Sequence, residues 1–334
     1  MWKLRPAILF LALAATLPAA GKLEIYCIDV EGGKATLWVS PSGDSMLVDA
    51  GWPGFNHRDA ERIAAAAKAA GVKKIDYLVI THFHSDHAGG VPQLAEKIPI
   101  KNFVDHGLDT ETGQDATVLF GEYARFRDKG NHMVVKPGDK LPVKGLDVQI
   151  VASDGALIAS PLAGAGQPNP DCAKEPPATP DKSENAHSIG IVVTYGSFRA
   201  VDLGDLSHDK ELGLVCPDNK LGTAQLFMVS HHGTDANSAP LVHALHPQAA
   251  IMDNGAKKGG AAEVWQTLHD TPGLEDIWQL HYAVAAGKDH NSSDPFLANL
   301  DDPCRGLWIK VTAEKDGSFV IWNQRNKYEK KYGK

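Results

Sequence analysis

The 334-residue chain has few cysteines, only one long apolar run and no excess of positive charge, and each shortage excludes a class of protein. Its four cysteines show no CxxC spacing, which argues against a cysteine-based zinc knuckle. Beyond the N-terminus, no apolar stretch approaches the roughly 20 residues that span a bilayer. Ser-His-Asp, P-loop and GxGxxG patterns are also missing, so the familiar serine-hydrolase and nucleotide-binding chemistries are not indicated.

The first 20 residues are typical of an export signal. Lys3 and Arg5 precede "AILFLALAATL", which is too short to span a membrane comfortably, and "PAAG" follows with small residues suited to signal peptidase. We expect residues 1–20 to be cleaved and the protein to be periplasmic or secreted, without membrane association after cleavage. A membrane anchor or a buried first helix is the alternative.

The net charge argues against nucleic-acid partners, and the cysteines can be assigned roles suited to an exported protein. The formal charge of −8 becomes −10 once Lys3 and Arg5 leave with the signal, which contains no acidic residue. Because such a surface repels polyanions, we expect no stable nucleic-acid complex. An exported protein can form disulfides, and Cys172 and Cys216, both in Pro-containing loop-like segments, are the preferred pair. Cys27 is interpreted as a free thiol in the core.

The order of strand-like and helix-like segments indicates one domain over residues 21–334. Strands "LEIYCIDV", "ATLWVS" and "SMLVDAG" are followed by an amphipathic helix, "RDAERIAAAAKAAG", and a buried strand, "KIDYLVI". Later strands and helices alternate, which favours an α+β fold with two packed sheets and outer helices. The Pro-, Ala- and Gly-rich stretch 154–184 is predicted to be an excursion loop over the surface.

The stretch "THFHSDHAGG" (Thr81–Gly90) concentrates metal-ligand residues directly after a predicted strand. His82, His84, Asp86 and His87 suit a borderline-soft divalent ion. Residues two apart at a strand end point the same way, so His82 and His84 can bind one ion. The following turn can direct Asp86 and His87 to a second ion.

Further ligands are expected at the ends of other strands. His187 precedes "IGIVVTYG", Asp205 follows "FRAVD", and His231 and His232 follow "QLFMV". An aspartate at the position of Asp205 can bridge two cations about 3.5–4 Å apart.

The order of these motifs along the chain resembles that of the metallo-β-lactamase superfamily: HxHxDH comes first, followed by a lone His, Gly-Asp and a late His. "IDVEGGKATLWVSPSGDSMLVDAG", "NAHSIGIVVTYGSFRAVDLGD" and "VSHHG" are most similar to the hydrolase domain of DNA-uptake competence proteins. The resemblance implies a four-layer αββα sandwich, with two mixed sheets, outer helices and a dinuclear metal site at one edge. It also implies two divalent ions, zinc in the first place and manganese or iron as alternatives. The implied ligands are His82, His84 and His187 for one ion, Asp86, His87 and His232 for the other, and Asp205 as the bridge.

The sequence departs from the competence pattern at two places. His187 stands where Asn is usual, and the Gly-His-Pro expected after the late strand is missing from "NGAKKGGAAEVW". Instead, His281 is predicted to lie at the same edge, and this difference argues against a competence-type substrate.

The late ligand can be His231 or His232. We prefer His232 because the resemblance to the superfamily implies a ligand His with a small hydroxyl residue two positions later, here Thr234. His231, His281 and Lys257 are then candidate substrate contacts.

These residues predict a secreted dinuclear metallohydrolase. Two ions sharing a water lower its pKa and supply hydroxide, while Asp86 and Asp205 position the water or take its proton. A bridging Asp205 is associated in the family with phosphodiesterases, lactonases and thioester hydrolases, so a small phosphodiester or related phosphate ester is preferred narrowly as substrate. A lactonase-like, other carboxylic ester or amide hydrolase (including β-lactamase-like activity) is the second hypothesis. A non-catalytic metal-binding domain is the third, and it is disfavoured because every ligand position is filled.

Overall fold

A computed structural model describes residues 21–333 of the chain. The predicted export signal, residues 1–20, lies outside the described residues. Within residues 21–333, no helix has both the length and the apolar character needed to cross a membrane.

The described residues form strands and helices in mixed order. The strands are β1 (Leu23–Cys27), β2 (Thr36–Val39), β3 (Ser45–Val48), β4 (Ile75–Val79), β5 (Ile100–Asp105), β6 (Asn131–Val134), β7 (Lys140–Leu141), β8 (Asp147–Ser153), β9 (Ala156–Leu157), β10 (Gln167–Pro168), β11 (Gly190–Tyr195), β12 (Phe198–Asp202), β13 (Asp218–Asn219), β14 (Leu226–Met228), β15 (Ala249–Met252), β16 (Asp276–His281), β17 (Leu297–Asn299), β18 (Ile309–Ala313), β19 (Phe319–Asn323) and β20 (Glu329–Tyr332). The helices are α1 (Arg58–Ala69), α2 (Ser85–Ala88), α3 (Val91–Ala95), α4 (Gln114–Arg127), α5 (His208–Val215), α6 (Ala239–Leu245) and α7 (Ala262–His269). Short 3-10 turns connect several of them.

Two large mixed sheets contain nearly all of these strands. The first has the order β20-β19-β18-β1-β2-β3-β4-β5-β6, and the second has the order β17-β16-β15-β14-β12-β11-β8-β7, with β9 paired to β8. A small ladder of β10 and β13 lies apart from both sheets. The predicted α+β class and αββα sandwich are confirmed.

Alternating apolar residues divide the interior into layers. In β1, Leu23 and Ile25 pack into the core between the sheets, whereas Tyr26 packs into the core beneath α1, α3 and α4. In β11, Ile191 faces the inter-sheet core and Val192 faces the core beneath α5, α6 and α7. Because successive side chains of a strand point to opposite faces, strands that are apolar on both faces are covered on both sides.

The main predicted helices and strands are present, and β5 and α5 are the longest of the elements that were not predicted. The amphipathic segment forms α1, and "KIDYLVI" forms β4, which runs parallel to both β3 and β5. The sequence interpretation missed β5, which carries a polar Lys-Asn pair, and α5, which is short and interrupted by Gly213. Both are stabilised mainly by tertiary packing, which local pattern does not report.

The segment 154–184 contains only the short strands β9 and β10 and 3-10 turns between longer stretches without regular structure. Cys172 and Cys216 form a disulfide, which ties this segment to the end of α5. That pairing was predicted, and the interpretation of Cys27 as a buried free thiol is also confirmed.

One edge of the sandwich collects the ends of strands from both sheets. In the first sheet β3, β4 and β5 are parallel, and in the second β12, β14, β15 and β16 are parallel. Strands that run in the same direction present their carboxyl ends at the same edge, so the loops that follow them can form one site. This edge carries the predicted metal-ligand motifs.

A buried acid holds two helices together near this edge. The Oε2 atom of Glu211 in α5 accepts hydrogen bonds from the backbone N–H groups of Asn237 (2.8 Å) and Ser238 (3.1 Å). Ser238 caps α6 by accepting from the backbone N–H of Leu241. Burial raises the pKa of Glu211 to about 7, although these hydrogen bonds act to lower it.

We predict a pH-dependent stability difference for Glu211→Gln. Between the ordinary pKa of 4.5 and the folded value of about 7, the folded protein keeps a proton that the unfolded chain has lost. The wild-type free energy of unfolding therefore falls as pH rises through this window, by about 1.4 kcal/mol per pH unit, and levels off above it. The amide does not titrate, so the variant's deficit relative to wild type should shrink by about 2 kcal/mol from pH 5 to pH 7. Urea denaturation at both pH values measures this.

The exposed Glu263→Gln provides the control, since it removes a carboxyl from the surface of α7. A Glu211→Gln deficit that is the same at pH 5 and pH 7 would contradict the assignment.

Candidate metal centre

The HxHxDH motif starts in the loop after β4 and continues into α2, which contains Asp86 and His87. His82 lies three residues after β4 ends and His84 immediately precedes α2, so the chain turns sharply through the histidines. His82 and His87 are fully buried and Asp86 is 5% exposed. Gly90 allows the turn to pack against the end of β3, because a Cβ at this position would lie 2.0 Å from the carbonyl oxygen of Ala50.

Four side chains from three separate segments of the chain converge here. They are Asp86, His87, Asp205 and His232, all buried, with ligand atoms within 4.8 Å of one another. The Nε2 atom of His87 lies 3.1 Å from Asp205 Oδ2 and 3.2 Å from His232 Nε2. His232 Nε2 in turn lies 3.1 Å from Asp86 Oδ2 and 3.2 Å from Asp205 Oδ2. Two carboxylates and two imidazoles therefore face a common centre.

His82 and His84 form a pair next to this group. His82 Nε2 lies 3.0 Å from His84 Nδ1, and it lies 4.0 Å from Asp205 Oδ2. The rings of His82 and His87 have centroids 4.1 Å apart. Asp205 thus lies between the His82–His84 pair and the His87–His232 pair, where the sequence predicts a bridging ligand.

The orientation of His87 is fixed by a residue that the sequence interpretation did not single out. Asp49, fully buried at the end of β3, accepts a hydrogen bond from His87 Nδ1 (2.8 Å) and two more from the backbone N–H and hydroxyl of Thr81. Donation from Nδ1 leaves Nε2 available to bind a metal ion. The signal was present in "LVDAG", where an acid follows a buried strand.

The turn that presents His232 has unusual backbone geometry. His231, His232 and Gly233 all have positive φ, at 49°, 53° and 74°. The side chain of Asn237 secures the turn by accepting from the N–H of Ser230 and donating to its carbonyl. Left-handed backbone at successive non-glycine residues costs free energy, and such strain often marks a functional site.

Behind His232 a buried ion cluster joins the two sheets. His232 Nδ1 lies 3.4 Å from Asp253 Oδ1, and Lys34, from the loop after β1, lies 3.0 Å from Asp253 and 3.2 Å from Asp202. Burial acts to raise the pKa of Asp253, but Lys34 and His232 outweigh it and lower the value to about 2. Asp253 is therefore an anion that can hold the His232 ring with Nε2 toward the centre.

Charge is closely balanced within the four-residue group. Burial acts to lower the pKa of His232, but Asp205 and Asp253 outweigh it and raise it to about 10. Burial also acts to raise the pKa of Asp205, yet His232 and His87 hold it well below its ordinary value. The carboxylates thus stay ionised and demand positive charge. A divalent cation satisfies the same demand and displaces the protons.

The donor set fits divalent metal ions. Imidazole nitrogens and carboxylate oxygens are suited to zinc, and imidazoles also suit iron. Asp205 Oδ1 is buried and, among the described residues, has no hydrogen-bond partner, although buried polar atoms are almost always paired. A second ligand oxygen is therefore free on the residue that lies between the two histidine pairs.

Two other predicted residues, His231 and His187, lie around this group. His231 Nε2 is 3.7 Å from Asp205 Oδ2, while its Nδ1 pairs with Asp235, so His232 rather than His231 joins the four-residue group. His187 lies outside that group, with Nδ1 2.9 Å from Asp154 Oδ1 and its ring 6.0 Å from that of His106. His106 in turn donates to the buried Glu184. Ligation by His187 stays a prediction.

The two remaining predicted substrate contacts are placed differently from expectation. His281 is buried and its Nε2 donates to Asp29 (2.7 Å), which also accepts from Cys304 and pairs with Arg62. Asp29, His281 and Cys304 are metal-type donors, but the guanidinium of Arg62 already supplies the positive charge there. His281 therefore supports the loop after β1 and is not part of the four-residue group.

Lys258, and not the predicted Lys257, contacts the four-residue group. Lys257 is 79% exposed and pairs with Asp302, whereas Lys258 contacts the Asp86 carboxylate directly. Gly259 and Gly260, both with positive φ, shape the turn so that the second lysine faces the cluster. The sequence does not distinguish two adjacent lysines in a glycine-rich loop.

Comparison with known proteins finds a matching family model and two curated relatives. Residues 29–166 match the family model of the metallo-β-lactamase superfamily. A hydroxyacylglutathione hydrolase of Klebsiella pneumoniae is 36% identical over 81 residues, covering 24% of this chain and 26% of the relative. ComE operon protein 3 of Bacillus subtilis is 26% identical over 192 residues, covering 56% of this chain and 21% of the relative. The chain thus spans about a quarter or less of these curated relatives.

The solved structures that resemble this chain share less sequence identity with it than the two curated relatives do. A protein named as a metal-dependent hydrolase from Parabacteroides distasonis is 18% identical with a TM-score of 0.43, covering 78% of this chain and 93% of the other. The diiron β-hydroxylase CmlA from Streptomyces venezuelae is 14% identical with a TM-score of 0.40, covering 72% and 46%. At this level neither structure bears on the reaction.

We predict that His84→Ala binds less metal. Removing one of the paired imidazoles leaves its ion with an incomplete set of ligands, so dialysed protein should retain about one ion fewer per chain and lose nearly all hydrolytic activity. Elemental analysis by plasma mass spectrometry measures the first effect without relying on turnover. His269→Ala on α7, a largely exposed histidine, is the matched control. Full metal content and full activity in His84→Ala would refute the ligand role.

Proposed function

We propose that this chain, which carries a metallo-β-lactamase superfamily domain over residues 29–166, is a dinuclear metal-dependent hydrolase of small phosphodiesters or related phosphate esters. The observation that carries the proposal is the buried convergence of Asp86, His87, Asp205 and His232, with the His82–His84 pair on the other side of Asp205. We further propose zinc as the metal, with manganese or iron as alternatives, and export of the protein after cleavage of residues 1–20.

The ligand roles follow from position. His82, His84 and, as a prediction, His187 would hold one ion, and Asp86, His87 and His232 would hold the other, with Asp205 between them. When bound, two such ions supply Lewis acidity that lowers the pKa of water and stabilises negative charge on the ester.

The protein's own groups supply the remaining steps. Asp86 and Asp205 are placed to orient a water through their second oxygens and to accept its proton, because both carboxylates stay ionised. His231 is partly exposed and lies 3.7 Å from Asp205, so it can donate a proton to the departing oxygen. Its pKa is raised because Asp235 and Asp205 outweigh burial, which favours the protonated, donating form.

Lys258 is the group that favours a phosphate ester. Its ammonium contacts Asp86 at the open side of the cluster, and the side chain is 36% exposed. If a metal takes Asp86, this ammonium becomes free to bind an anionic oxygen of the substrate. A single lysine suits one phosphate, and it does not provide the series of contacts that grips a nucleic-acid backbone.

A carboxylic ester or thioester is the second candidate. The observation that favours it is the 81-residue likeness to a hydroxyacylglutathione hydrolase, which acts on an acyl compound. The same ligands and the same Lys258 could stabilise the oxyanion of an acyl transfer. The two candidates differ in substrate and share the metal centre.

We predict turnover of bis-p-nitrophenyl phosphate that is nearly independent of salt between 50 and 200 mM. Metals and a few pocket groups hold a small ester, whereas a protein that binds several DNA phosphates loses affinity steeply over that range.

We also predict that Asp205→Asn lowers kcat by roughly 100- to 1000-fold, because it removes a carboxylate charge from the centre of the site. The exposed Asp270→Asn, on the turn after α7, is the control and should leave kcat unchanged.

Two outcomes would redirect the proposal. Efficient, strongly salt-dependent cleavage of long duplex DNA would establish a competence-type nuclease instead. Hydrolysis of a lactone or thioester panel without phosphodiester turnover would favour the second candidate.

A further inference from the structure

A cavity of about 590 Å³ opens beside His84. It lies between the motif turn with α2 on one side and α4 on the other, and the loop carrying Pro53 closes one end. Its volume falls within the usual range for small-ligand pockets. His84 is 30% exposed and contributes to the cavity wall while its Nδ1 faces His82, so the cavity adjoins the proposed metal centre at this histidine.

The wall of this cavity is largely apolar. Phe83, Ala88 and Pro92 come from the motif turn, α2 and α3, and Val118 and Leu119 come from α4. Val118 is 60% exposed and lies with these residues in one apolar wall, and contiguous exposed apolar surface of this kind is typical of ligand-binding grooves. Tyr123 is the buried residue of α4, so most of this helix is not committed to the core. Its apolar residues on the cavity side are therefore available to a ligand.

The charged residues in the cavity wall are all acidic apart from His84. They are Glu111, Asp115 and Glu122, and neither lysine nor arginine lines the cavity. Glu111 lies 3.3 Å from His84 Nε2, and Glu122 pairs with Arg125 on the solvent side. Negative charge around an apolar wall disfavours a second anionic group on the ligand.

We propose that this cavity binds an apolar, uncharged arm of the substrate and sets its specificity. The inference rests on the proposed function, because the arm is attached to the phosphoryl or acyl group that the metal centre would hold. It narrows the substrate class to esters with a hydrocarbon or aryl arm and disfavours polyanionic substrates such as oligonucleotides. Val118 and Leu119 are specificity residues and take no part in the reaction.

Non-hydrolysable phosphonates test this without turnover. Calorimetric titration of the metal-loaded protein should give hexylphosphonate at least about tenfold tighter binding than methylphosphonate, because the longer arm buries additional methylene groups. In 6-phosphonohexanoate the arm ends in a carboxylate, which faces Glu111, Asp115 and Glu122. Its affinity should therefore return to nearly that of methylphosphonate.

A pair of variants on one helix locates the effect. Val118→Asp places a charge in the cavity wall and should abolish the hexyl advantage, so that hexylphosphonate and methylphosphonate bind with nearly equal affinity. Thr117→Asp adds the same charge at the adjacent exposed position, which does not line the cavity, and should keep the advantage. Both positions are exposed, so neither substitution threatens folding.

Equal affinities for methyl- and hexylphosphonate, or equal effects of the two substitutions, would overturn the inference. If bis-p-nitrophenyl phosphate is still hydrolysed in that case, the metallohydrolase proposal survives without the arm pocket. If the metal-loaded protein neither binds methylphosphonate nor hydrolyses the ester, the proposed phosphate chemistry itself fails.

Discussion

Buried negative charge is the constraint on which the site depends. Asp86 and Asp205 are almost wholly enclosed, and ionised carboxylates in such surroundings are stable only beside positive charge or hydrogen-bond donors. His87 and His232 face both of them, and the Oδ1 atom of Asp205, the predicted bridging ligand, has no hydrogen-bond partner among the described residues. A pair of divalent ions resolves this imbalance more completely than protonated imidazoles, which can each carry only one charge.

Buried negative charge is also balanced behind the site, by ion pairs that connect the site to the fold. Lys34 comes from the first sheet, and Asp202 and Asp253 come from the ends of two strands of the second. Their ion pairs connect the sheets behind His232, so the His232 ring lies against a contact between the two sheets at this edge. The geometry of the site and the packing of the sheets are therefore coupled, since displacement of either sheet would move one half of the ligand set.

The sequence was sufficient to predict the features that depend on local residue patterns. A buried strand that ends in HxHxDH predicts both β4 and a metal site, and alternating apolar strands predict two packed sheets. Asp49, Asp253 and Lys34 were missed because their roles arise from packing between elements distant in the chain. Lys257 was preferred over Lys258 because only the turn geometry separates them, and His281 is buried against Asp29 by a contact that joins opposite ends of the sequence.

Anomalous X-ray diffraction at the absorption edge of the bound metal tests the central claim most directly. Crystals of protein purified without chelator should show two peaks about 3.5–4 Å apart on either side of Asp205. One peak should lie among Asp86, His87 and His232, and the other should lie beside His82 and His84. Well-ordered crystals with no anomalous peak within coordination distance of Asp205, from protein supplied with zinc, would contradict the account.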